Sequence, residues 1–193
     1  MWSPPGGNLR IVYGNGQHDV LAGRDMAPVA PAWRPNAPRT LAWAAKDGTV
    51  TVEDADTAQV QWRRRDGPVR QLAWSSDGRR LLVAGRRRAV VHDFVSGSRA
   101  RVRVDGEIVA AAFGRRLALA ILRDGATRVE VDGRTVLTGP GRLRDLEWSP
   151  DGGRLLAGWF DADHWLVVRG DAVAAVRHGF GGDAVTRGWT ATR

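Results

Sequence analysis

Aromatic residues recur along this chain at a nearly regular spacing, each at the end of a short apolar run. Successive positions are about 31 to 41 residues apart, which is close to the length of one four-stranded sheet in a repeat protein. Internal repetition constrains the fold strongly, because each unit must bury its apolar face against a neighbouring copy. We call these residues the anchors: Trp2, Trp33, Trp74, Phe113, Trp148 and Trp189.

The residues that follow the anchors also repeat. Trp74 begins the sequence WSSDG, Trp148 begins WSPDG and Trp2 begins WSPPG, and an apolar run follows each of them. Ser, Pro, Asp and Gly supply the fixed φ angle, the side-chain hydrogen bond and the permissive backbone that a tight turn needs. A turn directly followed by an apolar run predicts a β-hairpin, with the aromatic ring packed between neighbouring sheets. The copies that begin at Trp33 and Phe113 are weaker versions of the motif.

The unit around Trp74 divides into four strand-like runs, at 69–74, 79–84, 89–94 and 99–104. Turn-forming residues fill the gaps between these runs. No segment sustains an apolar period of 3.6 residues, so we expect little helix. The sequence therefore predicts an all-β fold, a β-propeller of four-stranded antiparallel blades, with about five blades in this chain.

The hairpin motif resembles the repeat of TolB-type, WD-like propellers. Residues 90–97, VVHDFVSG, resemble the Trp-Asp ending of a WD repeat, although the tryptophan is absent. The resemblance covers essentially the whole chain and implies an architecture rather than an activity.

We expect residues 1–193 to form a single propeller domain that is truncated at its N-terminus. The ring is either closed with five blades, by pairing of 185–189 with 9–13, or part of a larger one of six to seven blades. Closure removes the exposed sheet edges that favour aggregation.

The amino-acid composition excludes several kinds of site and segment. The chain has no cysteine, which excludes disulfides, thiolate metal ligands and cysteine nucleophiles. No run of 18 apolar residues is present, so a membrane-spanning helix is not expected. The first residues do not have the pattern of a signal peptide. Localisation stays open: cytoplasmic for the chain as it stands, or the cell envelope if a signal or anchor precedes it.

The positive charge of the chain indicates an anionic partner. The formal net charge is +8, and Lys46 is the only lysine among 29 basic residues. The resemblance implies that two arginine runs, Arg63-Arg64-Arg65 and Arg86-Arg87-Arg88, lie on the same face of the propeller, where their guanidinium groups could bind carboxylates or phosphates. The competing explanation is that they are solvated loop residues of an arginine-rich protein.

We expect a non-catalytic scaffold that binds a protein or an anionic polymer through this loop-lined face. Nucleic acid is less favoured as a partner, because its binding usually adds exposed aromatic residues for base stacking. The nearby Trp62 is instead interpreted as a strand residue that packs between sheets.

Catalytic, cofactor-binding and metal-binding residues are not predicted. Asp161, Asp163 and His164 cluster in one loop but offer too few oxygen ligands for a hard cation. The alternative function is a propeller hydrolase or lyase with its site at the mouth of the central channel. The candidate catalytic residues of such an enzyme are acidic residues at loop positions. The competing explanation is that these residues form turns, as Asp-Gly sequences commonly do. The candidates are Asp47, Asp66, Asp105, Glu107, Asp124 and Asp183.

Overall fold

The computed structural model describes residues 9–12, 18–21 and 25–177. Within these residues all regular structure is β-strand, apart from one turn of 3-10 helix at Phe160–Ala162. Four sheets of four antiparallel strands follow one another along the chain, and each keeps its strands in sequential order. We call the four strands of each sheet a, b, c and d in chain order.

The strand bounds show the repeat directly. A two-stranded sheet, β1 and β2, precedes the four-stranded sheets β3–β6, β7–β10, β11–β14 and β15–β18. The strands are β1 (Leu9–Val12), β2 (His18–Leu21), β3 (Ala32–Trp33), β4 (Thr40–Ala44), β5 (Thr49–Asp54), β6 (Val60–Arg65), β7 (Gln71–Trp74), β8 (Arg80–Ala84), β9 (Ala89–Asp93), β10 (Arg99–Val102), β11 (Glu107–Phe113), β12 (Leu117–Arg123), β13 (Ala126–Val131), β14 (Arg134–Pro140), β15 (Asp145–Trp148), β16 (Leu155–Trp159), β17 (His164–Arg169) and β18 (Ala172–Arg177).

The chain divides into two compact units. Unit 1 comprises Met1–Arg86 and Val90–Ala100, and unit 2 comprises Arg87–Ala89 and Arg101–Arg193. Each unit has an apolar cluster of its own, formed where the facing residues of adjacent sheets meet. In unit 1 the buried cluster is Val29, Ala42, Ala44, Val50, Val52, Val69, Leu72, Trp74, Leu81 and Val83. In unit 2 it is Ala110, Ala112, Ala118, Ala120, Val129, Val131, Leu143, Leu146, Trp148, Leu155, Ala157, Leu166 and Val168.

The a–b turns of two sheets have the same hydrogen-bond pattern. In the first, the Ser75 hydroxyl donates to Asp77 Oδ1 and accepts from the Arg80 amide, while the Gly78 amide donates to the Ser75 carbonyl. The second turn, at Ser149, Asp151 and Gly152, repeats all three bonds. The shared pattern explains why the Ser-x-Asp-Gly motif recurs, since each side chain caps a backbone group of its own turn.

The turn at Gly78 also contacts the preceding sheet of unit 1. Gly78 has a φ of +68°, and a Cβ placed on it would lie 2.3 Å from the Pro35 carbonyl oxygen. The Arg34 Nε atom donates to the Gly78 carbonyl oxygen at 2.7 Å. The Trp74 indole N–H donates to the carbonyl oxygen of Ala32 at 3.1 Å. A glycine is therefore required here both by the backbone conformation and by the closeness of the next sheet.

Each described anchor ends strand a of its sheet. Trp74, Phe113 and Trp148 are buried, whereas Trp33 departs from the expected packing and is 40% exposed. Trp33 belongs to a strand of two residues that pairs with β4 through two positions only, so little of the sheet surrounds its ring.

The expected architecture of four-stranded antiparallel blades is confirmed. The predicted run at 99–104 is shorter in the structure, where β10 ends at Val102. Trp2, Trp189 and the segment 185–189 lie outside the described residues, so the single domain, ring closure and total blade number stay predictions.

Candidate functional site

Antiparallel pairing defines two ends for each sheet. The a–b and c–d turns lie at one end, and the b–c loop and the d–a connection lie at the other, which we call the upper end. The first arginine run, Arg63–Arg65, forms the last three residues of β6 and is exposed. It therefore leads into the d–a connection, at the upper end of the β3–β6 sheet.

Strand geometry separates the members of this run. Successive residues of a strand point to opposite faces, so Arg64 lies on the other face from Arg63 and Arg65. Arg63 Nε donates to the Thr51 hydroxyl at 3.4 Å, and Arg65 Nε donates to the Asp47 carbonyl oxygen at 3.1 Å. Arg64 lies close enough to His92 to disfavour its protonation. The Arg64 side chain therefore leaves the strand on the opposite face from those of Arg63 and Arg65.

The second run, Arg86–Arg88, occupies the b–c loop between β8 and β9, as the sequence predicts, and all three residues are exposed. Arg86 belongs to unit 1, whereas Arg87 and Arg88 belong to unit 2. The six arginines are thus divided between the two units, and their convergence on one site stays a prediction. Among the described contacts, Arg87 and Arg88 form no ion pair.

A buried polar centre lies between the two four-stranded sheets of unit 1. His92 Nε2 is 2.6 Å from Asp66 Oδ2, and the His92 and Asp66 side chains are 5% and 1% exposed. Arg99 Nη2 donates to the other carboxylate oxygen, Asp66 Oδ1, at 2.8 Å. The Trp62 ring packs edge-on against the imidazole, with the ring centroids 4.8 Å apart. We call Asp66, His92 and Arg99 the buried triad after its two enclosed members; the Arg99 side chain is 30% exposed.

The electrostatics of the buried triad assign its protonation state. Burial lowers the pKa of His92 below its ordinary value, and the hydrogen bond to Asp66 opposes this shift. Arg99 already neutralises the Asp66 carboxylate, so a second positive charge on His92 would be buried without a partner. His92 is therefore neutral at pH 7, and its Nε2–H group donates to Asp66. The triad joins the d–a connection of one sheet to strands c and d of the next.

Asp66 is a candidate catalytic acid by its sequence position, but its role is structural because both carboxylate oxygens are engaged within the protein. Trp62 lies in β6, and its ring also contacts Phe94 at 5.3 Å between ring centroids. Neither the triad nor its geometry is evident from the sequence. The only signal is a histidine next to Asp93, where a WD repeat has its tryptophan.

Exposed acidic residues form hydrogen bonds within turns or ion pairs with arginines. Hydrogen bonds from Thr49, first from its amide and then from its hydroxyl, lower the pKa of Asp47. In unit 2, Arg128 is the main cause of the lowered pKa of Asp105, and Arg123 also contacts Asp105 at 3.2 Å. These groups are stabilised as carboxylates, which does not suit a general acid at neutral pH.

Two further carboxylates in unit 2 accept hydrogen bonds from a residue in the connection between two sheets. Arg142, in the connection between β14 and β15, donates from its side chain to Glu107 at 2.9 Å and from its amide to Asp161 at 2.9 Å. Asp161 lies in the b–c region, as expected, with Asp163 and His164 beside it. The His164 Nδ1 atom contacts the Ala162 carbonyl oxygen. The described residues include no group of three or more acidic or histidine side chains that could hold a metal ion.

Among the described residues, the structure has no helix with the length and apolar character of a membrane span.

Comparison with known proteins supports the fold alone. No model of a protein family matches the chain, and a search of curated proteins finds no match. A chain in the crystal structure of a mitotic checkpoint complex is similar, with a TM-score of 0.57 and 21% sequence identity. The similarity covers 74% of this chain and 47% of the other, so this chain spans about half the length of that protein. Together with the four-stranded sheets, it shows a β-propeller fold.

Proposed function

We propose that this chain is a non-catalytic β-propeller that binds an acidic protein or another anionic polymer through the loops at the upper ends of its sheets. The observation that carries the proposal is the b–c loop Arg86–Arg88, where three consecutive arginines are all exposed. Arginine offers a planar set of donors that fits a carboxylate or a phosphate in a bidentate manner.

The surrounding charge supports an anionic partner. Arg64 and Arg65 are exposed at the upper end of β6 as well, and the whole chain has a formal net charge of +8. Such a charge attracts anionic surfaces and increases the rate at which they meet the protein, in a manner that depends on ionic strength.

A scaffold role also suits the architecture. Four-stranded sheets packed side by side present rows of loops, and loops on a rigid framework are common binding surfaces. The similar structure is, by its title, that of a mitotic checkpoint complex, which supports a macromolecular partner here. We further propose that residues 1–193 form a single propeller domain of the TolB type, on the basis of the Ser-x-Asp-Gly hairpins.

A hydrolase or lyase site is not favoured by any single observation. Asp47 and Asp105 have lowered pKa values, and Asp66 is enclosed within the buried triad. Asp183 lies outside the described residues. These roles support turn formation and sheet packing as the functions of the acidic residues.

The proposal is tested with a fluorescent poly-glutamate peptide of about twenty residues, whose binding is followed by anisotropy at low salt. The first variant changes Arg86, Arg87 and Arg88 to glutamine. The matched control changes three exposed arginines at a–b and c–d turns, which are at the opposite ends of their sheets: Arg79, Arg134 and Arg169. Both variants lose three positive charges.

We expect the first variant to bind about tenfold more weakly than the control. Three exposed charge contacts of about 0.5 kcal/mol each give about 1.5 kcal/mol, and 1.4 kcal/mol corresponds to about tenfold. Equal binding by the two variants would show that only the net charge matters, and would overturn the assignment of the site to this loop.

A further inference from the structure

The strand β18 lies at the edge of its sheet and carries no charge along most of its length. It is the last strand of the β15–β18 sheet, and among the described strands it pairs with β17 only. Every residue of Ala172–Arg177 is exposed, and Val173 and Val176 are 42% and 55% exposed. The five residues before Arg177 are all alanine or valine. An exposed apolar edge of this kind is a template for pairing with a further strand.

The d strands of the other three four-stranded sheets have features that oppose such pairing. β6 ends in three arginines, and β10 contains two. In β14, Val136 and Leu137 pack against the buried cluster of unit 2, and the strand ends in Pro140, which has no amide hydrogen to donate. Charges and proline on an edge strand disfavour the addition of another strand. Among the described d strands, β18 therefore has the least protected edge.

The hairpin before β18 determines which of its backbone groups face outward. The two-residue turn Gly170–Asp171 joins β17 to β18, and its glycine has a φ of +58°, which fits a type II′ turn. In such a turn the amide of Ala172 donates back to β17. Because backbone groups alternate along a strand, the N–H and C=O groups of Val173, Ala175 and Arg177 point away from β17.

These outward groups restrict how β18 can pair with β18 of a second copy. Antiparallel pairing about a two-fold axis can place Ala174 opposite itself and Val173 opposite Ala175 of the second copy, so that outward groups meet. In this register Asp171 lies opposite Arg177 of the second copy, and symmetry forms this pair twice. A shift by one residue mismatches the backbone donors and acceptors, and a shift by two in either direction loses both charge pairs.

The two charges cannot meet within one chain. Asp171 and Arg177 are separated by the length of β18, which is about 20 Å for an extended segment. Neither residue has a partner among the described ion pairs. The edge is thus complementary in charge to a second copy of itself.

We propose that two copies of this chain associate by antiparallel pairing of their β18 strands, with Asp171 of each copy paired to Arg177 of the other. Val173 then packs against Ala175 of the second copy. Within its own chain Val173 pairs with Val168, which is buried in the apolar cluster of unit 2. The association therefore extends a row of apolar side chains across the two-fold axis.

Sedimentation equilibrium of the full chain at increasing concentration tests the association. The average mass of the parent should rise from 21.0 kDa toward twice that value. Asp171→Arg and Arg177→Asp should each associate at least about tenfold more weakly, because each brings like charges together at both ends of the pairing. An equimolar mixture of these two variants should regain the affinity of the parent, because opposite charges then meet at both ends.

The matched control is Arg169→Asp, which makes the same change of charge on β17 and should associate as the parent does. A parent that stays at 21.0 kDa at every concentration would overturn the proposal, whether another partner or none binds the edge. A mixture that associates no more tightly than its two variants would overturn the charge pairing. Equal weakening by Arg169→Asp and Arg177→Asp would overturn it as well.

Disulfide formation tests the register directly, because the chain has no cysteine of its own. Ala174 lies opposite itself in a pair without backbone hydrogen bonds, where the Cα atoms are about 4.5 Å apart and a disulfide can form. Ala172 is also an exposed alanine of the same strand face, but its copies are about 13 Å apart in this register. With oxidised glutathione as the oxidant, Ala174→Cys should form a covalent dimer at least about tenfold faster than Ala172→Cys. Equal rates for the two variants would overturn the register.

Discussion

The contact between Gly78 and the preceding sheet gives a quantitative test of how the blades of unit 1 pack. In Gly78→Ala, the new Cβ lies 2.3 Å from the Pro35 carbonyl oxygen, a distance that requires the backbone to move. Such overpacking costs about 1–3 kcal/mol. A second cost arises because alanine does not favour a φ of +68°.

The second cost can be measured separately, since Gly97 has almost the same φ, +70°, and no atom lies within 4 Å of the position that a Cβ would occupy on it. Gly97→Ala therefore carries the conformational penalty alone, within the same unit. We expect Gly78→Ala to be less stable than Gly97→Ala by about 2 kcal/mol, which corresponds to a Tm difference of about 4–8 °C.

The assay is thermal unfolding of both variants, followed by circular dichroism under identical conditions, with urea unfolding as a second measurement. Equal Tm values for the two variants would refute the reasoning, because they would mean that the a–b turn does not touch Pro35 in solution. A change in the urea m-value would instead indicate an altered unfolded or native state.

Two further predictions concern the buried triad. Asp66→Asn removes the charge that pairs with Arg99 while it keeps the side-chain shape, so urea unfolding should show a loss of about 3 kcal/mol; a loss under about 0.5 kcal/mol would contradict the triad's structural role. Burial lowers the pKa of His92 in the folded chain, so as the pH falls through about 6.5 this histidine is protonated in the unfolded chain before it is protonated in the folded one. The free energy of unfolding should therefore decrease from about pH 7 to pH 5. The decrease in Tm over this range should be smaller in His92→Gln, and an equal decrease in both proteins would contradict the assignment.

Local chemistry made much of the fold predictable. The Ser-x-Asp-Gly turn after Trp74 and Trp148 satisfies its own backbone, so the sequence alone identifies the hairpin and the strands on either side of it. The predicted run at 79–84 differs from β8 by one residue at its start. Strand ends are less certain because fraying depends on the neighbours of each sheet.

The buried triad could not be predicted, because its contacts join residues far apart in the chain. His92 is 26 positions from Asp66, and Arg99 is 33 positions from it. A sequence pattern assigned Asp66 to a turn, which describes its backbone but not the environment of its carboxylate. That environment depends on how the d–a connection of one sheet lies against the next sheet.

The directions of the arginine side chains were also only partly predictable from the sequence. Their exposure followed from composition, but the alternation of side chains along β6 separates Arg64 from Arg63 and Arg65. The b–c loop Arg86–Arg88 is thus the more direct candidate for contact with an anion, since a loop does not impose that alternation.

The salt dependence of poly-glutamate binding tests the central claim, an anion-binding surface at the upper ends of the sheets, most directly. Affinity is measured from about 50 to 300 mM salt for the parent, the Arg86–Arg88 glutamine variant and the opposite-end control. We predict a shallower slope for the Arg86–Arg88 variant and a slope near that of the parent for the control. Parallel lines for all three proteins would contradict the claim.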